Sequence, residues 1–418
     1  MKRAIKAKVI LAMGLCFFLF IGSSFSQDLK ISASEREKTY RELELFADAL
    51  AIVQTQYVEH KSPQELIYGA LRGLLASLDP YSQFMDPDEY KELIIDTRGK
   101  FGGLGIEISV RDGLLTVISP LADTPAWRAG IKAGDIIVKI NGEITKGITL
   151  TEAVKKLRGK PGTQVNITVL REGAPKMLNF NITREMIKVK DIKKSALIEG
   201  KIGYVSISEF RENTASELDK TLADLTKKGM QALVLDLRNN PGGLLMSAVE
   251  VTSRFIPTGE LIVYTKSAEG KIVKYNSLNS KVKMINVPMV VLVNNGSASG
   301  SEILAGCLQD YKRAVIMGIK TFGKASVQSV VPLSDGSALR VTTAKYYTPQ
   351  GRLIHQKGIQ PDISVEERTI EVKASRQEAI FNKIEKPHLR ADDFYKKDYQ
   401  ILRAVDLAKG LLIVSHRR

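Results

Sequence analysis

Residues 290–310 read VVLVNNGSASGSEILAGCLQD. The apolar run ending at Val293 reads as a buried strand, Asn294, Asn295 and Gly296 break it, and Ser301 to Gln309 carries apolar residues at helical spacing. Residues 232–251, ALVLDLRNNPGGLLMSAVEV, repeat the scheme with a strand from Ala232 to Leu237, a turn from Asn239 to Gly243, and a helix. The two stretches predict an α/β core, βα units around a mixed sheet. Strand and helix alternate from about Ile187 to Val365, with a helix capped near Asn213 and carrying Leu218, Leu222 and Leu225.

The same turns hold candidate chemistry. A new helix begins with backbone N–H groups that have no partner inside it, so a serine at that junction exposes its hydroxyl beside hydrogen-bond donors. Ser299 stands there with Gly300 next to it, a nucleophile with an oxyanion donor. Residues 319–330, IKTFGKASVQSV, lead into a strand whose period of two puts Lys324, Ser326 and Gln328 on one face. A lysine acts as a general base only when neutral. Burial must bring its pKa from about 10.4 toward about 7, roughly 4–5 kcal/mol of differential stabilisation. Ile319, Phe322 and Val327 are the apolar residues at hand, and Gln328 is placed to orient the amine. Taken singly, Ser299 is a helix cap and Lys324 a surface lysine.

Taken together, NNGSASGSEILAG, Lys324 further along and Gln328 four residues beyond it resemble the carboxyl-terminal processing, or tail-specific, serine proteases. That resemblance implies a Ser–Lys dyad with Ser299 as nucleophile, Lys324 as general base and Gln328 as its positioner. It also implies that Gly242 or Gly243 of the LDLRNNPGG segment joins Gly300 in the oxyanion hole. Gly300 stands where the family often has Ala, and Ala325 where Gly is common.

Residues 98–180 resemble a PDZ domain. Gly102-Gly103-Leu104-Gly105-Ile106 precedes a strand, Asp112-Gly113 makes a hairpin turn, PAWRAGIKAGDIIVKING spans 125–142, and Thr151 to Arg158 reads as a short helix. In such a domain a peptide adds as a strand beside Gly103 to Ile108, with its carboxylate on the N–H groups of the Gly-rich loop. Its last side chain enters a pocket near Leu104, Gly105, Ile106, Val154 and Leu157. Arg158 matches an arginine that links the PDZ domain to the protease core in related enzymes; a helix-end arginine favourable to the dipole is the plainer reading.

The remaining segments are helical or targeting. Residues 1–26 open with Lys2, Arg3, Lys6 and Lys8, continue apolar from Val9 to Gly22, and close on Ser24-Phe25-Ser26, the pattern of a signal peptide. Residues 27–78 carry the apolar stripe Leu43, Phe46, Leu50 and Val53, then a capping box at Ser62-Pro63-Gln64-Glu65. Residues 79–97 lead into the core, 181–365 hold it, and 366–418 turn helical again. That last segment, with Ala379, Ile380, Ile384, Ile401, Val405, Ala408 and Leu412, is expected to pack on the N-terminal helices or a second subunit.

The expectations are therefore an exported, periplasmic or cell-envelope endopeptidase that recognises unfolded or tagged C-termini. An adaptor lipoprotein and a homodimer or higher oligomer accompany that reading, and a non-catalytic PDZ adaptor is the alternative. The chain has a formal net charge of +15, but its basic residues are scattered, the densest being pairs such as Lys227-Lys228. Nucleic acid is not indicated, and a soluble protein or one resting on an anionic membrane surface fits the charge. Cys16 falls within the signal, so Cys307 has no intramolecular partner and reads as a buried helix residue. The four histidines show no metal spacing, no cofactor motif is present, and a Ser299–His355 pairing with Asp236 or Asp310 is the weaker catalytic alternative.

Overall fold

The computed structural model describes residues 33–121, 123–279, 286–370 and 393–415. The signal segment with Cys16 lies outside these residues, as do Ala379, Ile380 and Ile384. The chain divides into two units, Met1–Gly73 and Leu74–Arg418.

In the first unit helix α1 runs Ala33–Gln56, and helix α2, Pro63–Ala76, begins. The Ser-Pro-Gln-Glu box forms as spelled. Ser62 N–H donates to Glu65 Oε2 at 2.9 Å and Glu65 N–H donates to Ser62 Oγ at 3.2 Å. Along α1, Leu43, Phe46 and Val53 are exposed. No helix among the described residues is long and apolar enough to cross a membrane.

The second unit opens with strand β1 (Gln83–Met85), helix α3 (Pro87–Arg98) and strand β2 (Lys100–Gly103). There follow β3 (Ile106–Arg111), β4 (Leu114–Pro120), the short helix α4 (Pro125–Arg128), β5 (Ile136–Ile140), β6 (Glu143–Ile144), helix α5 (Leu150–Leu157), β7 (Gln164–Leu170) and β8 (Leu178–Thr183). These strands form an antiparallel sheet in the order β3-β4-β5-β7-β8, with β6 on β5, around a core that includes Leu104, Val117, Ile137, Val165 and Ile167. Strand β3 is an edge, paired only with β4, and α5 packs against it. A free edge beside a helix is the arrangement that strand addition requires.

Strand β9 (Glu185–Lys188) returns along β2, and the core follows. It comprises β10 (Ile192–Ile198), β11 (Ile202–Ile207), α6 (Thr214–Lys227), β12 (Ala232–Asp236), α7 (Leu245–Thr252), β13 (Leu261–Ser267), β14 (Ile272–Asn276), β15 (Met289–Val293), α8 (Gly300–Asp310), β16 (Val315–Gly318), β17 (Ser326–Pro332), β18 (Ala338–Tyr347), β19 (Ile363–Ser364) and α9 (Tyr399–Ser415). The central sheet has the order β10-β11-β12-β15-β16-β19, parallel throughout except for β10.

Both β12 and β15 are buried at every position, because helices cover both faces of the sheet. Leu233, Leu235 and Val291 face Leu218, Leu222, Ala248 and Leu304 of α6, α7 and α8. Val234, Val290 and Leu292 face Ile401, Ala404, Val405 and Ala408 of α9. The apolar stripe of the C-terminal helix, expected to meet the N-terminal helices or a second subunit, packs on the central sheet of its own chain. Burying each Ile, Val or Leu on this second face stabilises the fold by roughly 1.5–3 kcal/mol.

A second, antiparallel sheet runs β1-β18-β13-β14 with β17 alongside β18. Strand β1, which precedes the β3–β8 sheet in the chain, pairs here with β18 through Gln83 opposite Arg340. The smaller domain is thus inserted into the α/β core.

Candidate active site

Neighbouring parallel strands end side by side, so the turns after β12 and β15 meet at the carboxyl ends of the sheet. They are stitched together. Ser297 Oγ donates to the Leu237 carbonyl at 2.7 Å, Ser301 Oγ to the Asn240 carbonyl at 2.9 Å, and Ala298 N–H to that same carbonyl at 3.0 Å. Asn294 Oδ1 accepts from the N–H groups of both Asn239, at 2.8 Å, and Gly296, at 3.0 Å. Behind them Asn294 Nδ2 donates to Glu367, while Arg238 is paired with Asp236 and Asp398.

Ser299 caps α8 with φ 51° and ψ −111°, backbone angles that an L-residue adopts only under constraint. Gly242 is what it packs against. A Cβ on Gly242, at φ 104°, would lie 2.7 Å from both Gly300 N and Ser299 Cβ, so the approach is open to glycine alone.

Two buried side chains hold Ser299 and Lys324 in one frame. Glu302, fully buried, accepts Ser299 N–H at 2.9 Å and Lys324 N–H at 2.9 Å on the same carboxylate oxygen. Its other oxygen accepts Gly323 N–H at 2.7 Å and Thr321 Oγ1 at 2.5 Å. Burial pushes this carboxyl above its ordinary pKa, and the four donors oppose that rise. Tyr346, equally buried, directs its hydroxyl at the carbonyls of Ser299, at 3.1 Å, and of Lys324. Each of the two residues is thus fixed through its N–H by Glu302 and through its C=O by Tyr346.

Ser299, Lys324, Ser326, Gln328 and Gly243 line one cleft of about 480 Å³. Within it Lys324 Nζ donates to Gln328 Oε1 at 3.2 Å and lies 4.8 Å from the centre of the Tyr81 ring. Burial pushes the lysine pKa down, the positive charge of Arg340 lowers it further, and Asp79 acts in the opposite sense. Phe322, expected to shelter the lysine, is 55% exposed; the aromatic ring at the amine is Tyr81's. A β-bulge between Val327 and Gln328 also interrupts the strict alternation expected for Lys324, Ser326 and Gln328. No hydrogen bond joins Ser299 Oγ to Lys324 Nζ among the described residues. Such bonds commonly tighten only when substrate is bound.

The oxyanion donors need one correction. Gly242 N–H is engaged by Asn240 Oδ1 at 2.9 Å, so it is not open to a ligand. The N–H groups of Gly300 and Gly243 form no hydrogen bond among the described residues and remain available. His355 is not among the residues lining the cleft. Cys307 is buried behind the nucleophile turn, its thiol pKa pushed up by burial, unsuited to attack. A larger polar hollow of about 740 Å³ beside α9 is lined by Asp236 but by none of Ser299, Lys324, Gln328 and His355.

In the inserted domain, Gly103, Leu104, Gly105, Ile106, Val154 and Leu157 line one apolar hollow of about 80 Å³, together with Phe101, Ile108 and Arg158. Arg158 stacks on Phe101 at 4.3 Å and pairs with Glu92 and, at 3.2 Å, with Asp96 of α3. Asp96 in turn lines the cleft that holds Ser299 and Lys324, and its carbonyl accepts Arg211 Nε at 3.1 Å.

Sequence reading passed over Glu302, Tyr346, Tyr81 and Arg340. Only Glu302 carried a local signal, the Ser-x-x-Glu spacing of a capping box at 299–302.

Comparison with known proteins agrees with this layout. The profile of peptidase family S41 matches residues 201–365, a PDZ-domain profile matches 116–171, and the profile of the N-terminal domain of the activating protease CtpB matches 19–89. A carboxy-terminal-processing protease of Bartonella bacilliformis is 44% identical over 341 residues, covering 81% of this chain and 78% of that protein. The carboxy-terminal processing protease CtpB of Bacillus subtilis is 37% identical over 337 residues, covering 80% and 69%. Among solved structures, a photosystem II D1 C-terminal processing protease shares 34% identity, with a TM-score of 0.46 over 78% of this chain and 93% of that one.

Proposed function

Because this chain belongs to the carboxy-terminal-processing serine proteases of peptidase family S41, with a PDZ domain, we propose that it cleaves polypeptides through an acyl-enzyme on Ser299. The observation that carries the reading is the shared frame: Glu302 and Tyr346 hold a strained serine and a lysine of lowered pKa around one cleft. Lys324, neutral, takes the Ser299 hydroxyl proton as Oγ attacks the substrate carbonyl. The oxyanion forms against the N–H groups of Gly243 and Gly300. Lys324 then gives that proton to the leaving amine; water attacks the acyl carbon as the same lysine takes its proton, and the lysine passes it to Ser299 Oγ as the acyl–Oγ bond breaks.

The PDZ hollow and the edge of β3 are read as the seat of a substrate's C-terminal tail, whose carboxylate would lie on the Leu104 and Gly105 N–H groups. Arg158, α3 and Arg211 are then a physical connection from that seat to the cleft, and tail binding shifts the enzyme toward its active state through it. Export follows from the pattern of residues 1–26, and the exposed apolar residues of α1 fit pairing with a second copy.

The test follows an unfolded polypeptide with a free apolar C-terminus, and its amidated twin, by mass spectrometry. Cleavage lost in Ser299→Ala and weaker on the amidated twin is the expected result. Cleavage that survives Ser299→Ala overturns the mechanism, and equal cleavage of the twins overturns tail recognition. A wild type that cleaves neither favours the non-catalytic adaptor.

A further inference from the structure

Asp79, Pro80, Tyr81 and Ser82 form a turn just ahead of β1, distant in sequence from every candidate catalytic residue. Asp79 builds it. Its Oδ1 accepts the N–H groups of Tyr81 at 2.7 Å and Ser82 at 2.9 Å, and its Oδ2 accepts the Ser82 hydroxyl at 2.8 Å. Ser82 Oγ accepts Thr342 N–H at 3.2 Å, which fastens the turn to β18, and Thr342 sits directly opposite Gln328 on β17. The Tyr81 carbonyl is thereby delivered to the Gln328 side chain, whose Nε2 donates to it.

This contact decides which end of the Gln328 amide meets the lysine. A carbonyl oxygen can only accept, so the NH₂ end must face Tyr81 and the oxygen end must face Lys324, as the 3.2 Å bond from Lys324 Nζ records. A neutral amine has two N–H bonds and one lone pair. With Oε1 taking an N–H, the lone pair stays free for the serine proton. An inverted amide would donate its own N–H to that lone pair and consume the base.

Resting on the Ser–Lys reading above, we infer that the Asp79–Ser82 turn is a positioning element for the general base. It acts through Gln328, by fixing the polarity of that amide.

The experiment compares Asp79→Ala, Asp79→Asn, Gln328→Ala and the Asp79→Ala/Gln328→Ala double variant, using a fluorescently labelled unfolded polypeptide with a free C-terminus. Asp79→Ala is expected to lower kcat by about tenfold, part of the roughly 10²–10⁴ that general-base catalysis supplies, with little change in KM. Asp79→Asn keeps an oxygen for the two N–H groups and should retain most of kcat. Both variants remove a negative charge that favours protonated Lys324, so the acid limb of the rate profile moves to lower pH. In the Gln328→Ala background Asp79→Ala should cost nothing further. An Asp79→Ala kcat within twofold of wild type, or a loss that adds fully to that of Gln328→Ala, overturns the inference. If Asp79→Ala does not fold, Ser82→Ala in the same two backgrounds decides it by the same additivity criterion. A Lys324→Ala enzyme as fast as wild type would instead sink the underlying Ser–Lys reading.

Discussion

The turns at the ends of β12 and β15 and the hollow beside β3 are held in opposite ways. Around Ser299 the neighbours are fully buried, a strained backbone is fixed from both its N–H and its C=O, and no substitute for Gly242 fits. Around Leu104 the wall is an edge strand paired on one side only, and the rim is a set of partly exposed ion pairs between Arg158 and α3. The contrast separates two tasks. Chemistry needs groups held within fractions of an ångström, whereas the tail recognition proposed above would use a surface that accepts a new strand.

The sharpest ways to break this contrast lie in the rigid region. Ser299→Ala should remove activity by at least about 10⁴-fold while leaving thermal stability close to wild type, since the Glu302 and Tyr346 contacts are to the backbone of residue 299 and survive the change. Glu302→Ala should not fold stably. It leaves four buried donors without an acceptor, each costing about 1–3 kcal/mol, and a calorimetric melt measures the loss. Glu302→Gln, which keeps one oxygen, should fold but lose about 100-fold in kcat, with tail affinity unchanged by isothermal titration. Were tail affinity to fall in step with kcat, the two regions would not be separable.

Electrostatic changes at the rim of the cleft come next in size. Arg340 lowers the Lys324 pKa, so Arg340→Gln should raise it and move the acid limb of kcat/KM to higher pH, measured on an uncharged-side-chain peptide. An unmoved or acid-shifted limb would show that Lys324 is not the titrating base. The soft region should answer more weakly. Val154→Ala should raise KM for free-tailed substrates several-fold and leave kcat nearly intact. Asp96→Asn removes one exposed ion pair worth about 0–1 kcal/mol, and should alter the ratio of free-tail to amidated-tail rates more than either rate alone.

Much of this was legible in the chain. The βα units were written as fully apolar strands followed by turn residues and helical spacing, and Ser299, Lys324 and Gln328 stood out by position within them. What was not legible depends on distant contacts. Tyr346 and Tyr81 reach the site from β18 and from the turn before β1, and no local periodicity announces a hydroxyl shared by two carbonyls or a carbonyl that orients an amide. The resemblance offered Gly242 or Gly243 as an oxyanion donor, and local pattern does not tell them apart; the Asn240 side chain occupies the N–H of Gly242. The stripe of α9 gave its apolar face correctly, but a stripe does not name its partner, which is the central sheet.

The central claim is that Ser299 carries the acyl group while Lys324 shuttles the proton. Acid-quenched intact-protein mass spectrometry during turnover of an unfolded, free-tailed polypeptide tests it most directly. Wild-type enzyme should show an added mass equal to the N-terminal cleavage fragment less the elements of water, mapped by peptide digestion to Ser299 and absent from Ser299→Ala. Adduct mapped to any other residue, or cleavage that continues in Ser299→Ala, would contradict the account.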